Sequence, residues 1–296
     1  MITVGTESCE SSDLNVIIPW LLDKARFTKN VTTDNLDLYR EAMVHILKSH
    51  GNDPKDAFNG VVNMFRTMRQ VAKLPGVNKL TDAYKGKSCV IALTGPSLTK
   101  QIPHLKKIWR NTCLIAPDVS LSILESHGIY PHYVLALERG EETATCLQGK
   151  HQSTCIIAPL VPRSFYEKYD GPIMIAYRDL HHFFWLPFQK GILRSRGIVG
   201  NMCFDFATYA GFSEIYLIGA DHAFAGGQTH ATGMQFGEDQ KPSRANPCYV
   251  EGYYGGEVES AYIYKYAREV LEIQVQGHNV YNCTEGGARI KGVVNK

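Results

Sequence analysis

The sequence predicts an α/β fold in which a doubly wound, mostly parallel sheet carries an N-terminal helical appendage. Three observations lead there. From residue 88 onward, short apolar runs rich in β-branched residues alternate with helical segments. Those runs are continuously apolar rather than alternating, as strands covered on both faces require. Residues 1–85 have a different texture, with apolar residues at helical spacing.

The strand candidates follow one another as "CVIALT" (89–94), "TCLIAP" (112–117), "YVLAL" (133–137), "TCIIAP" (154–159), "PIMIAY" (172–177), "EIYLIG" (214–219) and "NVYNC" (279–283). Helical stretches fall between several of them, over 97–108, 119–126, 162–169, 200–210 and 258–276. In the appendage, "DNLDLYREAMVHILKSHG" spaces Leu36, Tyr39, Met43, Ile46 and Leu47 along one helical face. A second helix starts at Asp53-Pro54, carries Phe58, Val61, Val62, Met64 and Phe65, and ends at Pro75-Gly76. The expected organisation is a helical appendage over 1–85 and a Rossmann-like α/β domain over 86–296.

Composition narrows the function. Of 296 residues, 44% are hydrophobic and 20% charged, a globular balance. Lys and Arg number 31 against 29 Asp and Glu, which gives no reason to expect nucleic acid or an anionic membrane as partner. No apolar run approaches the ~20 residues of a membrane span, and the N-terminal stretch lacks a signal-peptide pattern. Eight cysteines occur without a C-x-x-C pair. They read as reduced thiols of a cytoplasmic protein, and no metal site is expected from them.

In doubly wound sheets ligands bind beyond the carboxyl ends of the strands. Position alone therefore singles out Thr94, Asp118, Glu138, Tyr177-Arg178 and Thr284-Glu285. Four stretches add detail. In "TGPSL", Gly95 permits a tight turn, Pro96 suits a first helical turn, and Ser97 can cap the helix that follows. Such a helix start suits a phosphate, or is simply a capped helix. Gly200-Asn201 opens a second helix, with Arg194 and Arg196 just before it as candidate phosphate or carboxylate partners. "ADHAFAGGQTHATG" places Asp221, His222 and His230 in a glycine-rich loop after a strand. "CTEGGARIKG" places Thr284 and Glu285 at another strand end, where Gly286-Gly287 also fits an ordinary turn.

Together, "GPSL", "HGIYPHYVLALE", "GNMCFDFATYAGFSEIYLIGADHAF", "GGQTHATG" and "TEGGARIKG" resemble the motility-associated-factor (Maf) glycosyltransferase family. Its domain is shared with a family typified by an archaeal 6-hydroxymethylpterin diphosphokinase. The resemblance covers residues 85–292. More distantly, the chain is similar to bacterial sialyltransferases, Rossmann-like enzymes that use a CMP-linked donor and need no structural metal. That resemblance implies nucleotide contacts at Thr94, Gly95, Pro96, Ser97, Gly200 and Asn201, flanked by Asp118 and Glu138. The chain departs from the sialyltransferases at three places. Thr94 stands where they have Asn before G-P-S-L. Ala223 stands where they have a tyrosine. The region "CYVEGYYGGEVES" lacks their catalytic histidine.

The resemblance implies a cytoplasmic glycosyltransferase that uses a CMP-activated nonulosonic sugar, with a protein hydroxyl or a glycan as acceptor. His230 or His222 would be the general base and Asp221 its orienting partner. Arg196, Tyr253, Tyr254, Thr284 and Glu285 would serve substrate or phosphate. An alternative is diphosphate transfer from ATP to a hydroxymethylpterin, with Mg2+ held by Asp118, Glu138 and Asp221. A third reading keeps nucleotide-sugar binding without turnover. A homo-oligomer is compatible with each.

Overall fold

The computed structural model describes residues 54–179, 189–194, 197–233 and 248–296. The chain divides into two compact units, residues 1–62 and 63–296. The expected helix around Leu36–Leu47 lies outside the described residues. The second expected helix is present as α1, Pro54–Lys73. Pro54 suits a first helical turn, and the chain turns away before Pro75.

Residues 63–85 belong to the second unit. The Lys190 ammonium donates to the carbonyls of Ala72 (3.1 Å) and Leu74 (2.5 Å), which end α1 without intrahelical partners. Tyr84 stacks on Phe212 at 4.6 Å, and its hydroxyl meets that of Tyr133 at 2.7 Å.

Seven of the strands expected from the sequence form. They are β1 Ser88–Ala92, β2 Cys113–Pro117, β3 Tyr133–Ala136, β4 Thr154–Ile157, β5 Ile173–Ile175, β6 Glu214–Ile218 and β9 Asn279–Asn282, and an outlying hairpin of β7 Cys248–Glu251 and β8 Glu257–Ser260 lies between β6 and β9 in the chain. With β10, Val294–Asn295, they make one eight-stranded sheet in the order β10-β9-β6-β1-β2-β3-β4-β5. Every pairing in it is parallel. The crossovers include α2 Leu98–Ile108, α3 Leu121–Ser126, α4 Glu141–Cys146, α5 Arg163–Lys168, α6 Val199–Tyr209 and α7 Tyr262–Gln274. Ile91, Leu114, Ile115, Phe165, Phe204 and Phe206 are among the fully buried side chains of the core. Apolar side chains pack on both faces of the sheet, which explains the unbroken apolar strands.

One boundary departs from the sequence reading. The helix expected over 258–276 starts only at Tyr262, because Glu257–Ser260 pairs antiparallel with Cys248–Glu251. The polar run "EVES" resembles a helix start, and its strand partner cannot be read locally.

The chain builds outward from β1 through β5, then returns to place β6 on the other side of β1. The strand order reverses there, so the carboxyl ends of β1 and β6 splay apart and leave a crevice. Among the described residues no helix is long and apolar enough to cross a membrane.

Candidate functional site

The crevice lies where the switch of strand order puts it. Thr94 and Gly95 after β1, Gly219 to Ala223 after β6, and Ile198 to Gly200 at the start of α6 form its walls. Thr229, His230 and Tyr264 close one side. Gly219 has φ 68, a left-handed conformation that ends β6 and swings Asp221 inward. The Ala231 amide donates to the Thr94 carbonyl at 2.9 Å, tying the glycine-rich loop across the end of β1.

Asp221 is 2% exposed and does not face open solvent. Ser97 Oγ donates to its Oδ2 at 2.6 Å, and the Ser97 amide reaches both carboxylate oxygens at 3.2 and 3.3 Å. Gly95 is required here, since a Cβ at that position would overlap the Asp221 carboxylate. The α2 start expected to receive a phosphate therefore holds the protein's own carboxylate. Burial raises the Asp221 pKa to about 6, against the lowering effect of the Ser97 hydrogen bonds. From the C-terminal motif, the Ala288 amide donates to the Asp221 carbonyl at 2.7 Å. Thr284 faces the same framework: it is fully buried and accepts the Ala220 amide at 3.1 Å. Glu285 is exposed and accepts from Gln101 Nε2 at 3.2 Å. Neither Thr284 nor Glu285 lines the crevice.

The two histidines differ. His222 sits at φ 46, a left-handed conformation rare for a histidine, so the loop holds it under strain. Burial, and then the charge of Arg268, lower its pKa to about 4. Its Nε2 is buried with no hydrogen-bond partner among the described residues. His230 is half-buried, and burial lowers its pKa. Its Nδ1 lies 2.9 Å from Thr229 Oγ1, and the Thr229 side chain is hydrogen-bonded in turn to Tyr264. A relay from Nδ1–H through Thr229 to the Tyr264 oxygen leaves His230 Nε2 as the acceptor. Sequence reasoning missed Tyr264, because it lies inside an expected helix rather than at a strand end.

Gly200 lines the crevice, but the Asn201 side chain points elsewhere. Its Oδ1 accepts the Ile198 amide at 3.2 Å, and its Nδ2 donates to Ala267 O at 2.9 Å and Gln274 Oε1 at 3.1 Å. Gln274 Nε2 donates back to Asn201 O at 3.1 Å. Asn201 caps α6 and clamps it to α7, with its amide fully used inside the protein. Ile198, Val199 and Gly200, at the start of α6, line the crevice.

Asp118 and Glu138 follow β2 and β3, neighbouring each other beyond Pro117. Burial, and then the charge of Glu138, raise the Asp118 pKa to about 7. Pro96 is buried in the turn. The Tyr253 hydroxyl donates to the carbonyls of Asn282 and Lys296, and Tyr254 is 79% exposed on the β7–β8 hairpin. Arg196 lies outside the described residues. Seven cysteines are described, all without disulfides, and Cys9 lies outside the described residues.

Comparison with known proteins agrees with this architecture. A family model described as 6-hydroxymethylpterin diphosphokinase MptE-like matches residues 62–227, more than half of the chain. The chain belongs to this MptE-like family. The matched region runs from α1 through β6 to the first part of the glycine-rich loop, so the MptE-like domain contains both strands that open the crevice. A solved structure of the Maf glycosyltransferase from Magnetospirillum magneticum AMB-1 shares the fold at TM-score 0.58 and 19% identity. The likeness covers 80% of this chain and 38% of that one, so this chain spans well under half of the neighbour's length. Among curated proteins, none matches the chain.

Proposed function

We propose that this MptE-like domain is a glycosyltransferase that takes a CMP-linked nonulosonic sugar and passes it to a protein hydroxyl or a glycan. The observation that carries the reading is the pairing, across one crevice, of the α6 start with the His230–Thr229–Tyr264 relay. A helix start directs amides at a leaving phosphate and needs no metal. His230, neutral because burial lowers its pKa, accepts the proton of the acceptor hydroxyl at Nε2. The acceptor oxygen then bonds to the anomeric carbon while the bond from that carbon to the phosphate oxygen breaks. CMP leaves with that electron pair, and its new charge faces the α6 amides. His222, with a pKa of about 4, is too weak a base to share this role and instead shapes the crevice wall. The fold of the Maf glycosyltransferase neighbour supports the reading.

The family description favours a second reading, diphosphate transfer from ATP. That chemistry uses Mg2+ between the phosphates. The carboxylates fit it poorly. Asp221 is engaged by Ser97, Glu138 lies beside Arg178, and among the described residues no group of three His, Cys, Asp or Glu could hold a metal ion.

One thermal-shift series tests both, using CMP and ATP, each in EDTA and in Mg2+. Stabilisation by CMP in EDTA is the expected result. A ligand at about 100 times its dissociation constant adds ~2.7 kcal/mol, enough to read clearly. Stabilisation by ATP with Mg2+ alone would replace the first reading with the second.

A further inference from the structure

The outer face of α2 is strongly basic. Leu98, Ile102 and Leu105 on its inner face join one apolar cluster with side chains of β1, β2 and β6. Lys100, Lys106 and Lys107 stand exposed on the opposite face with His104 among them, and Arg110 follows in the 3-10 turn Trp109–Asn111. From Gly95 to Pro117 the chain has no Asp or Glu. The whole chain has an excess of only two basic residues, so positive charge is concentrated here.

None of the four cations forms an ion pair among the described residues. The carboxylates on elements packed with α2 are held by other donors. Gln101 donates to Glu285 at 3.2 Å, the Tyr216 hydroxyl is hydrogen-bonded to Glu214, and His151 holds Glu125 of α3 at 3.0 Å. Folding does not account for the stripe. Lys106 and Lys107 suit the negative end of the helix dipole, but Lys100 sits in the first turn, where a cation opposes it. Lys106 and Lys107 also stand four and three residues before Arg110, a spacing at which like charges repel.

The stripe has a direction. It begins beside the crevice, where the charge of Lys100 acts on Asp221. It runs about 15 Å to Arg110 at ~1.5 Å per residue, the length of about four or five residues of extended chain. Its surroundings argue against a base or a bilayer as occupant. The Trp109 ring carries the Arg110 guanidinium at 5.0 Å and meets the edge of Tyr130 at 5.7 Å, so it is engaged within the protein rather than offered as a stacking platform. Ile108 is the single large apolar side chain exposed on α2, far short of the apolar face with which a helix enters a membrane surface.

We propose that the outer face of α2 docks an acidic segment of a polypeptide acceptor and leads it toward the crevice. The role of acceptor rests on the glycosyltransferase reading above; the charge complementarity depends on neither the sugar nor the nucleotide.

The test is fluorescence anisotropy with a labelled decaglutamate peptide. Wild type should bind it with an affinity that falls steeply with added salt. Lys107→Glu combined with Arg110→Glu should bind it about tenfold or more weakly, while thermal stabilisation by CMP stays that of wild type. Lys150→Glu combined with Lys168→Glu changes the net charge equally at exposed positions outside α2. That control should keep the peptide affinity within about twofold. No binding by wild type, or equal losses in the two double variants, overturns the docking face. Phosphatidylserine-containing vesicles and an oligothymidylate are the competing occupants. Tighter binding of either than of the peptide, lost in the α2 variant, overturns the assignment to a polypeptide. Failure of CMP to stabilise wild type in EDTA counts against the glycosyltransferase reading and leaves the peptide measurement to decide the docking face. Should the charge-reversed α2 variant fail to fold, Lys107→Gln with Arg110→Gln is expected to bind the peptide about threefold more weakly, and unchanged affinity overturns the proposal.

Discussion

Ser97 Oγ and Asp221 Oδ2 lie 2.6 Å apart, joining the first turn after β1 to the loop after β6. This bond crosses the switch point of the sheet and fixes the width of the crevice. It holds a carboxylate whose pKa is raised to about 6 by burial. A raised carboxylate pKa means that the folded protein binds the proton more tightly than the unfolded chain does. Its contribution is therefore best below the ordinary carboxylate range, falls as pH rises toward 6, and is constant above. The size is on the order of 3 kcal/mol. Asp221→Asn keeps an acceptor for Ser97 and removes the buried charge. Denaturant melts from pH 4 to 8 should show this variant with a flatter stability profile than wild type, and at pH 8 with equal or greater stability. A steeper profile would show that the carboxylate is stabilised by a group other than Ser97.

Gly95→Ala probes the same junction from the other side. The new methyl would overlap the Asp221 carboxylate. Relief requires the β1 turn or the Asp221 loop to move, at a cost of about 1–3 kcal/mol as in other overpacked sites. Chemical denaturation should show that loss, and combining Gly95→Ala with Asp221→Gly should recover part of it.

The fold was legible in the sequence to a larger degree than the site, for a physical reason. Strands such as "CVIALT" and "EIYLIG" declare themselves by local composition, because a strand covered on both faces must be apolar throughout. Their ends locate the crevice as soon as the topology is doubly wound. The partners of individual side chains are not local. Ser97 and Asp221 are far apart in sequence, and nothing near Ser97 indicates that a carboxylate rather than a ligand will occupy the α2 start. Asn201 had the look of a ligand contact because it opens a helix after a glycine. Its actual partners, Ala267 and Gln274, lie on α7.

The Asn201 clamp yields a prediction that separates scaffold from ligand contact. Asn201→Ala removes hydrogen bonds to Ile198 N, Ala267 O and Gln274 Oε1, leaving buried groups unpaired. A loss of about 2–4 kcal/mol is expected, at 1–3 kcal/mol for each group left without a partner and with partial relaxation. Nucleotide affinity per folded molecule should stay within about twofold. A large loss of affinity with an unchanged melting temperature would return Asn201 to the ligand.

His151 and Glu125 form a partly buried ion pair, Nδ1 to Oε1 at 3.0 Å, with the imidazole stacked on Tyr169 at 5.1 Å. The hydrogen bond that His151 donates to the Glu125 carboxylate raises the His151 pKa above its ordinary value. A raised histidine pKa contributes stability in full at low pH and loses it as pH rises through the folded value. Glu125→Gln should therefore cost about 1–2 kcal/mol at pH 6 and much less at pH 9. Thermal melts at the two pH values measure the difference. An equal cost at both would mean that the pair acts by packing alone.

The histidines of the crevice decide the chemistry. His230 has its Nδ1 committed to Thr229 and its other nitrogen available, while His222 has a pKa near 4 and a strained backbone. Removing a general base costs about 10²–10⁴ in rate. His230→Ala should lose that much in kcat for sugar transfer with little change in melting temperature. Thr229→Val, which breaks the relay and leaves the imidazole in place, should lose less, about tenfold. His222→Ala should mainly change stability, and His222→Asn, a residue that tolerates left-handed φ, should be at least as stable as His222→Ala. The pH profile adds an independent reading. Because burial lowers the His230 pKa, the acid limb of kcat/KM should fall below the ordinary histidine value, and that limb should be absent in His230→Ala. If His222→Ala loses the limb and His230→Ala keeps it, the base is His222 and the relay through Thr229 is structural.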